Sequence, residues 1–166
     1  MVGEPVKRWK CAYKACEALC CRMERELTLK DIREISKAAG KKVEDFVQVK
    51  PNRRGAVPFT LKRKRGRCVF LQENFQCQLH PLGAKPSLCR IYPFLLSRVI
   101  YGDEPILEVR PAQDCPGIGR GPRFGEEAVK TVAESAKNYL EGLREVVKLS
   151  RRGLKPEEIL EKLEAA

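Results

Sequence analysis

Residues 11–27 read Cys-Ala-Tyr-Lys-Ala-Cys-Glu-Ala-Leu-Cys-Cys-Arg-Met-Glu-Arg-Glu-Leu, which puts Cys11, Cys16, Cys20 and Cys21 within eleven residues. The rest of the segment consists of good helix formers with no Pro or Gly to stop them, so it is predicted to be a helix. On such a helix Cys16 and Cys20 share one face, their Cβ atoms about 5–6 Å apart. Cys21 is then turned away by about 100°, so the adjacent Cys20 and Cys21 suit different metals, or different irons of one cluster. A buried free cysteine behaves as a small hydrophobe. That accounts for one or two thiols, not for four beside Lys and Arg, and points to ligation.

Four more cysteines, Cys68, Cys77, Cys89 and Cys115, are scattered over the middle of the 166-residue chain, making eight in all. No stretch approaches the roughly 20 apolar residues of a transmembrane helix, and the N-terminus has no apolar signal region. A cytoplasmic protein without a membrane partner is expected. In a reducing compartment eight cysteines favour metal ligation over disulfides, although a charge-rich composition with few Asn and Gln keeps the disulfide-rich hyperthermophile case open. Two four-thiolate zinc sites would use all eight, yet the spacings beyond Cys21 are not those of zinc knuckles. Iron–sulfur clusters accept irregular spacing, but no ferredoxin run occurs. Zinc and an iron–sulfur cluster both stay open.

Working outward, Thr28 to Gly40 has an N-cap, Asp31 at the capping-box position, an Ile32–Ile35–Ala39 stripe and a glycine stop, so it is predicted to be an amphipathic helix. A helical turn is expected over 43–47. Val57 to Lys62 and Arg67 to Leu71 read as a hairpin with a basic tip at 63–66, and Arg98 to Tyr101 with Ile106 to Val109 as a second hairpin around Gly102 to Pro105. Asn74 to Pro93 looks irregular and in need of pinning, by a metal for example. Gly117, Gly119 and Gly121 read as a flexible boundary. Beyond it, a long helix from Glu126 to near Gly153 and a short one from Pro156 are predicted.

The net charge of +11 is concentrated in residues 51–100, where ten Lys and Arg face only Glu73. Lys62, Arg63, Lys64 and Arg65, with Arg53 and Arg54, form a candidate phosphate-contacting patch. Aromatic interleaving is poor, so no stacking platform accompanies it. Arg90, beside Cys89, is a candidate donor to a thiolate centre. His80, three residues after Cys77, is the only histidine and a candidate ligand or an ordinary loop residue. There is no paired-carboxylate motif, G-x-S-x-G, P-loop or H-E-x-x-H, so any chemistry has to come from the metal centre.

Taken together, Cys11, Cys16, Cys20 and Cys21, then Cys68-Val69-Phe70-Leu71, then Pro86, Cys89, Arg90, Tyr92, Pro93 and Phe94, and finally Cys115-Pro116-Gly117 resemble a cysteine-cluster family described as a zinc- or iron-chelating domain. The likeness covers about residues 8–120. Lys85-Pro86 stands where that family usually has Arg-Pro, and Cys77-Gln78-Leu79-His80 where it has a Cys-x-Ile-Tyr step. The resemblance implies a metal or iron–sulfur centre. A related domain occurs in flagellin lysine methylases, but no methyl-donor site is legible here.

The expected fold is a small metal-organised α+β domain with an N-terminal Cys-bearing helix, one or two β-hairpins and C-terminal helices. Residues 1–121 would form the metal-binding part and 122–166 a helical extension packed on it. The expected function is a metalloprotein holding an iron–sulfur cluster or zinc through its eight cysteines, with a redox partner protein. The rival is a structural zinc module that binds nucleic acid through the basic hairpin.

Overall fold

The computed structural model describes residues 2–3, 6–50, 57–100 and 106–164. Val2–Gly3 (β1) and Arg8–Trp9 (β2) open the chain, followed by a cysteine-bearing loop with one 3-10 turn at Leu19–Arg22. Helix α1 spans Leu29–Ala39, α2 spans Val43–Phe46, and Val47–Val49 (β3) pairs antiparallel with Phe59–Leu61 (β4). Arg63–Lys64 (β5) and Arg67–Cys68 (β6) form the basic hairpin. After Ser87–Ile91 (α3), Phe94–Ile100 (β7) pairs with Ile106–Pro111 (β8), which β1 joins in parallel. Ile118–Arg123 (β9) pairs with β2, and Glu126–Arg151 (α4) and Pro156–Glu164 (α5) complete the chain. This is a small α+β fold.

The capping signals at Thr28 are realised. The Thr28 hydroxyl accepts from the Asp31 amide at 3.1 Å, and Asp31 Oδ2 accepts from the Thr28 amide at 3.0 Å. Gly40 follows the helix in the left-handed conformation. The other oxygen of Asp31 accepts from both the amide and the hydroxyl of Ser87, each at 2.9 Å. This buried carboxylate thus starts α1 and also fastens the beginning of α3 to it.

Three expectations change. First, residues 11–27 are not a helix. Glu17 and Ala18 are left-handed, with φ of 47° and 53°, and residues 25–27 are extended along β4: the Leu27 amide donates to the Phe59 carbonyl and the Leu61 amide to that of Arg25, both at 2.9 Å. Long-range strand pairing outweighs the local helix preference. Secondly, β4 does not pair with residues 67–71. It lies between β3 and the 25–27 segment, and the hairpin around Arg65 and Gly66 begins only after it. Thirdly, the stretch 74–93 contains α3, whose Ser87 bonds to Asp31, and of the glycine run Gly119 and Gly121 lie in β9 rather than in a flexible link. A Cβ at Gly117 would lie 2.2 Å from the Lys10 carbonyl oxygen, so only glycine lets the turn before β9 approach the end of β2 so closely. The expected turn at Gly102 to Pro105 lies outside the described residues.

Two apolar clusters form the core. One joins Leu27, Ile32, Ile35, Phe46, Phe59, Phe70 and Leu79 to Tyr139 and Val146 of α4 and Ile159 of α5. The other joins Ile91, Phe94 and Val109 to Val132, Ala136 and Leu140. Helix α4 belongs to both, so the C-terminal helices complete the interior that the cysteine-bearing half begins. The approach of α4 to α1 is set at Gly142, where a Cβ would sit 2.4 Å from both the Cβ and the γ-methyl of Thr28.

Helix propensity alone would credit Gly142→Ala with up to about 1 kcal/mol, whereas overpacking typically costs about 1–3 kcal/mol. The second effect governs because the clash falls on the capping residue of α1. Gly142→Ala is expected to lower the urea midpoint at unchanged slope; a raised midpoint would show that α4 and α1 do not meet here.

Candidate metal centre

The cysteine loop is shaped by short local bonds rather than by a helix. The amides of Cys16, Ala18 and Cys21 donate to the carbonyls of Ala12, Tyr13 and Ala18 at 3.1, 2.8 and 2.8 Å. The Glu17 carboxylate binds Arg22 and also reaches Arg67 of β6 at 3.4 Å. Gln76 Nε2 donates to the Tyr13 hydroxyl at 3.0 Å. The loop is thereby tied to the basic hairpin, which carries Cys68, and to the turn that carries Cys77. Cys89 lies on α3, whose first residue Asp31 holds, and Cys115 lies in the turn before β9.

All eight cysteines are free thiols, and electrostatic contact links them into one neighbourhood. Cys11 is influenced by Cys20 and Cys16, Cys21 by Cys20, Cys68 and Cys77, and Cys89 by Cys68 and Cys77. Cys115 bonds to the Tyr92 hydroxyl, which also feels Cys20. The thiols are gathered but not closed on a point: among the described residues no group of three or more His, Cys, Asp and Glu side chains is arranged as a ligand set. Ligation therefore requires the thiols to turn from neighbouring positions onto a common centre.

Cys20 and Cys21 are not turned apart as a helix would turn them. The Cys21 thiol donates to Cys20, and this bond, aided by Arg25 and Lys85 against the cost of burial, brings Cys20 down to about 6. The same bond, with burial, drives Cys21 far up. Burial also pushes Cys68 up to about 11 and Cys89 up to about 12, and it raises Cys11. Tyr92 is held protonated by burial and by Cys115.

The cations that face these thiols are Arg25 and Lys85. The guanidinium of Arg90 is used elsewhere, on the carbonyls of Lys85, at 2.6 Å, and of Gly83, with Glu34 at 3.8 Å. Rather than donating to a thiolate, it shapes the loop that carries Lys85. Sequence reasoning missed Arg25, because an arginine between Glu24 and Glu26 reads as a surface residue. Lys85 did leave a signal, as the cation directly before Pro86 in the stretch that carries the family resemblance. His80 is exposed, its amide donating to the Cys77 carbonyl at 3.1 Å.

The basic hairpin is partly committed to its own fold. Lys62 Nζ donates to the Glu44 carbonyl, Arg63 folds back onto the Gly66 carbonyl at 2.7 Å, and Arg67 lies over the Phe75 ring at 5.6 Å. Lys64 and Arg65 are exposed at its tip. Arg53 and Arg54 lie outside the described residues.

Residues 10–116 match the model of the CxxCxxCC family, a zinc- or iron-chelating domain. The chain belongs to this family. The match begins one residue before Cys11 and ends one after Cys115, so it takes in every thiol of the neighbourhood. No curated protein and no solved structure matches the chain. The donor set fits the family's description: thiolates are soft ligands that select thiophilic metals over magnesium or calcium. The buried Arg25 supplies positive charge beside the thiols, as a metal–thiolate centre with net negative charge requires.

In metal-free protein at pH 7, Cys20 is expected to react with iodoacetamide well before Cys68 and Cys89, its rate falling as pH drops through about 6 because the thiolate is the nucleophile. The two raised thiols stabilise the metal-free fold below the ordinary value of 9.0, and that contribution is lost as pH rises toward 11 to 12. Peptide mapping of the alkylated protein checks the order; equal labelling of the three at pH 7 would contradict it.

Proposed function

We propose that this domain holds a thiolate-ligated iron–sulfur centre and passes electrons to a redox partner protein. The reading is supported above all by the continuity of the thiol neighbourhood. Two closed zinc sites would divide eight cysteines into separate sets of four, whereas Cys20 and Cys68 sit amid the N-terminal and the central thiols alike. A cluster whose bridging sulfides carry part of the coordination tolerates such an arrangement, and with it the irregular gaps between Cys68, Cys77 and Cys89.

The protein's own residues would hold and tune the centre. The cysteine loop and β6 supply the thiolates around Cys20, Arg25 and Lys85 offset their charge, and the Tyr92 hydroxyl holds Cys115. A cluster in this setting would take up and release single electrons. Phe70, Leu79 and Ile91, all fully buried nearby in the chain, are the apolar material that would keep water from its inner side.

The test is to purify the protein without oxygen and determine iron, acid-labile sulfide and zinc per chain, with a visible spectrum before and after dithionite. Stoichiometric iron and sulfide and a brown chromophore that bleaches on reduction are expected, most of the iron being lost in Cys20→Ser and Cys68→Ser. About two zinc ions per chain without colour would overturn the redox reading.

A further inference from the structure

Arg25 is fixed before its side chain is considered. Its carbonyl accepts from the Leu61 amide, and two residues on Leu27 donates to Phe59, so the backbone is fastened to β4 on either side of Glu26. The side chain is buried, leaving the residue 7% exposed. One terminal nitrogen meets Met23 Sδ at 3.3 Å, and the guanidinium carbon lies 5.5 Å from the centre of the Tyr92 ring. Nε is buried without a partner. Among the described residues no carboxylate pairs with Arg25, and the groups it faces that can carry opposite charge are the thiols Cys20, Cys68 and Cys89, of which only Cys20 is held toward the thiolate.

A buried guanidinium needs anions around it, and in the metal-free protein Cys20 alone offers one while Cys68 and Cys89 stay protonated. The thioether and the aromatic face are weak substitutes. Metal binding would change the balance, because it converts neutral thiols into thiolates and leaves the centre with net negative charge. We propose that Arg25 is the fixed counter-charge of the metal–thiolate centre, held by β4 and the Tyr92 ring so that the centre's negative charge forms against a positive charge already in place. This rests on the metal-binding reading but not on the choice of metal. It makes Arg25 a positioning residue, since the guanidinium acts through the thiolates and not on the metal.

The proposal predicts effects of opposite sign in the two states of the protein. Arg25→Met keeps most of the side-chain volume and removes the charge. In metal-free protein that also carries Cys20→Ser it should raise the urea midpoint, because a buried charge left without an anion is gone. In the protein as isolated it should weaken retention of the bound metal about 10–100-fold in chelator competition. Arg25→Lys should restore most of the affinity, and Arg65→Met at the exposed hairpin tip should change neither quantity.

If Arg25→Met lowers the metal-free midpoint in the Cys20→Ser background and leaves metal retention unchanged, Arg25 is a packing residue and the proposal is overturned. Should wild-type protein isolated without oxygen hold no metal, the metal reading falls and takes the proposal with it. Metal held equally well by wild type and Arg25→Met removes the proposal alone.

Discussion

One oxygen of Asp31 accepts from the Thr28 amide and the other from both the amide and the hydroxyl of Ser87, and the relation between the two halves of the candidate site depends on this carboxylate. Thr28 begins α1 directly after the 25–27 segment that carries Arg25, and Ser87 begins α3, which carries Cys89. Charge-assisted bonds to buried backbone groups are among the stronger and costlier to lose. Through them, segments almost 60 residues apart in the chain come to flank one neighbourhood of thiols.

Around that fastening the thiols are carried by loops and turns rather than by long regular elements. Cys11, Cys16, Cys20 and Cys21 sit in an irregular loop held by Glu17, Tyr13 and backbone turns, Cys68 ends a two-residue strand, and Cys77 forms a single antiparallel bridge with Leu71. The two apolar clusters lie beneath, and α4 closes both. Loops placed on such a scaffold are where ligating groups are commonly found. The chemistry of this surface is set by burial and by two cations: the deeper thiols are held protonated, and Cys20, which accepts from Cys21, is held toward the thiolate.

Much of the fold was legible where the signal was local. The capping box at Thr28 and Asp31, the glycine after α1, the basic hairpin tip and the apolar spacing of α4 each depend on neighbours within a few residues, and each is realised. The cysteine loop was not, because its composition favours helix while its conformation is set by partners far away: Phe59 and Leu61 for residues 25–27, Arg67 for Glu17. The second function of Asp31 was hidden for the same reason, since a capping carboxylate does not announce which remote amide takes its other oxygen. All eight cysteines could be nominated from their number and spacing, but their shared neighbourhood could not. Arg25 gave no signal at all between two glutamates.

Every protein ligand of the proposed metal centre is a cysteine of residues 11–115. Metal-edge X-ray absorption on protein isolated without oxygen tests it most directly. A first coordination shell composed only of sulfur, at about 2.3 Å if the metal is zinc, is the predicted result. A shell dominated by nitrogen or oxygen would contradict it, because the thiols gathered around Cys20 would then not be the ligands.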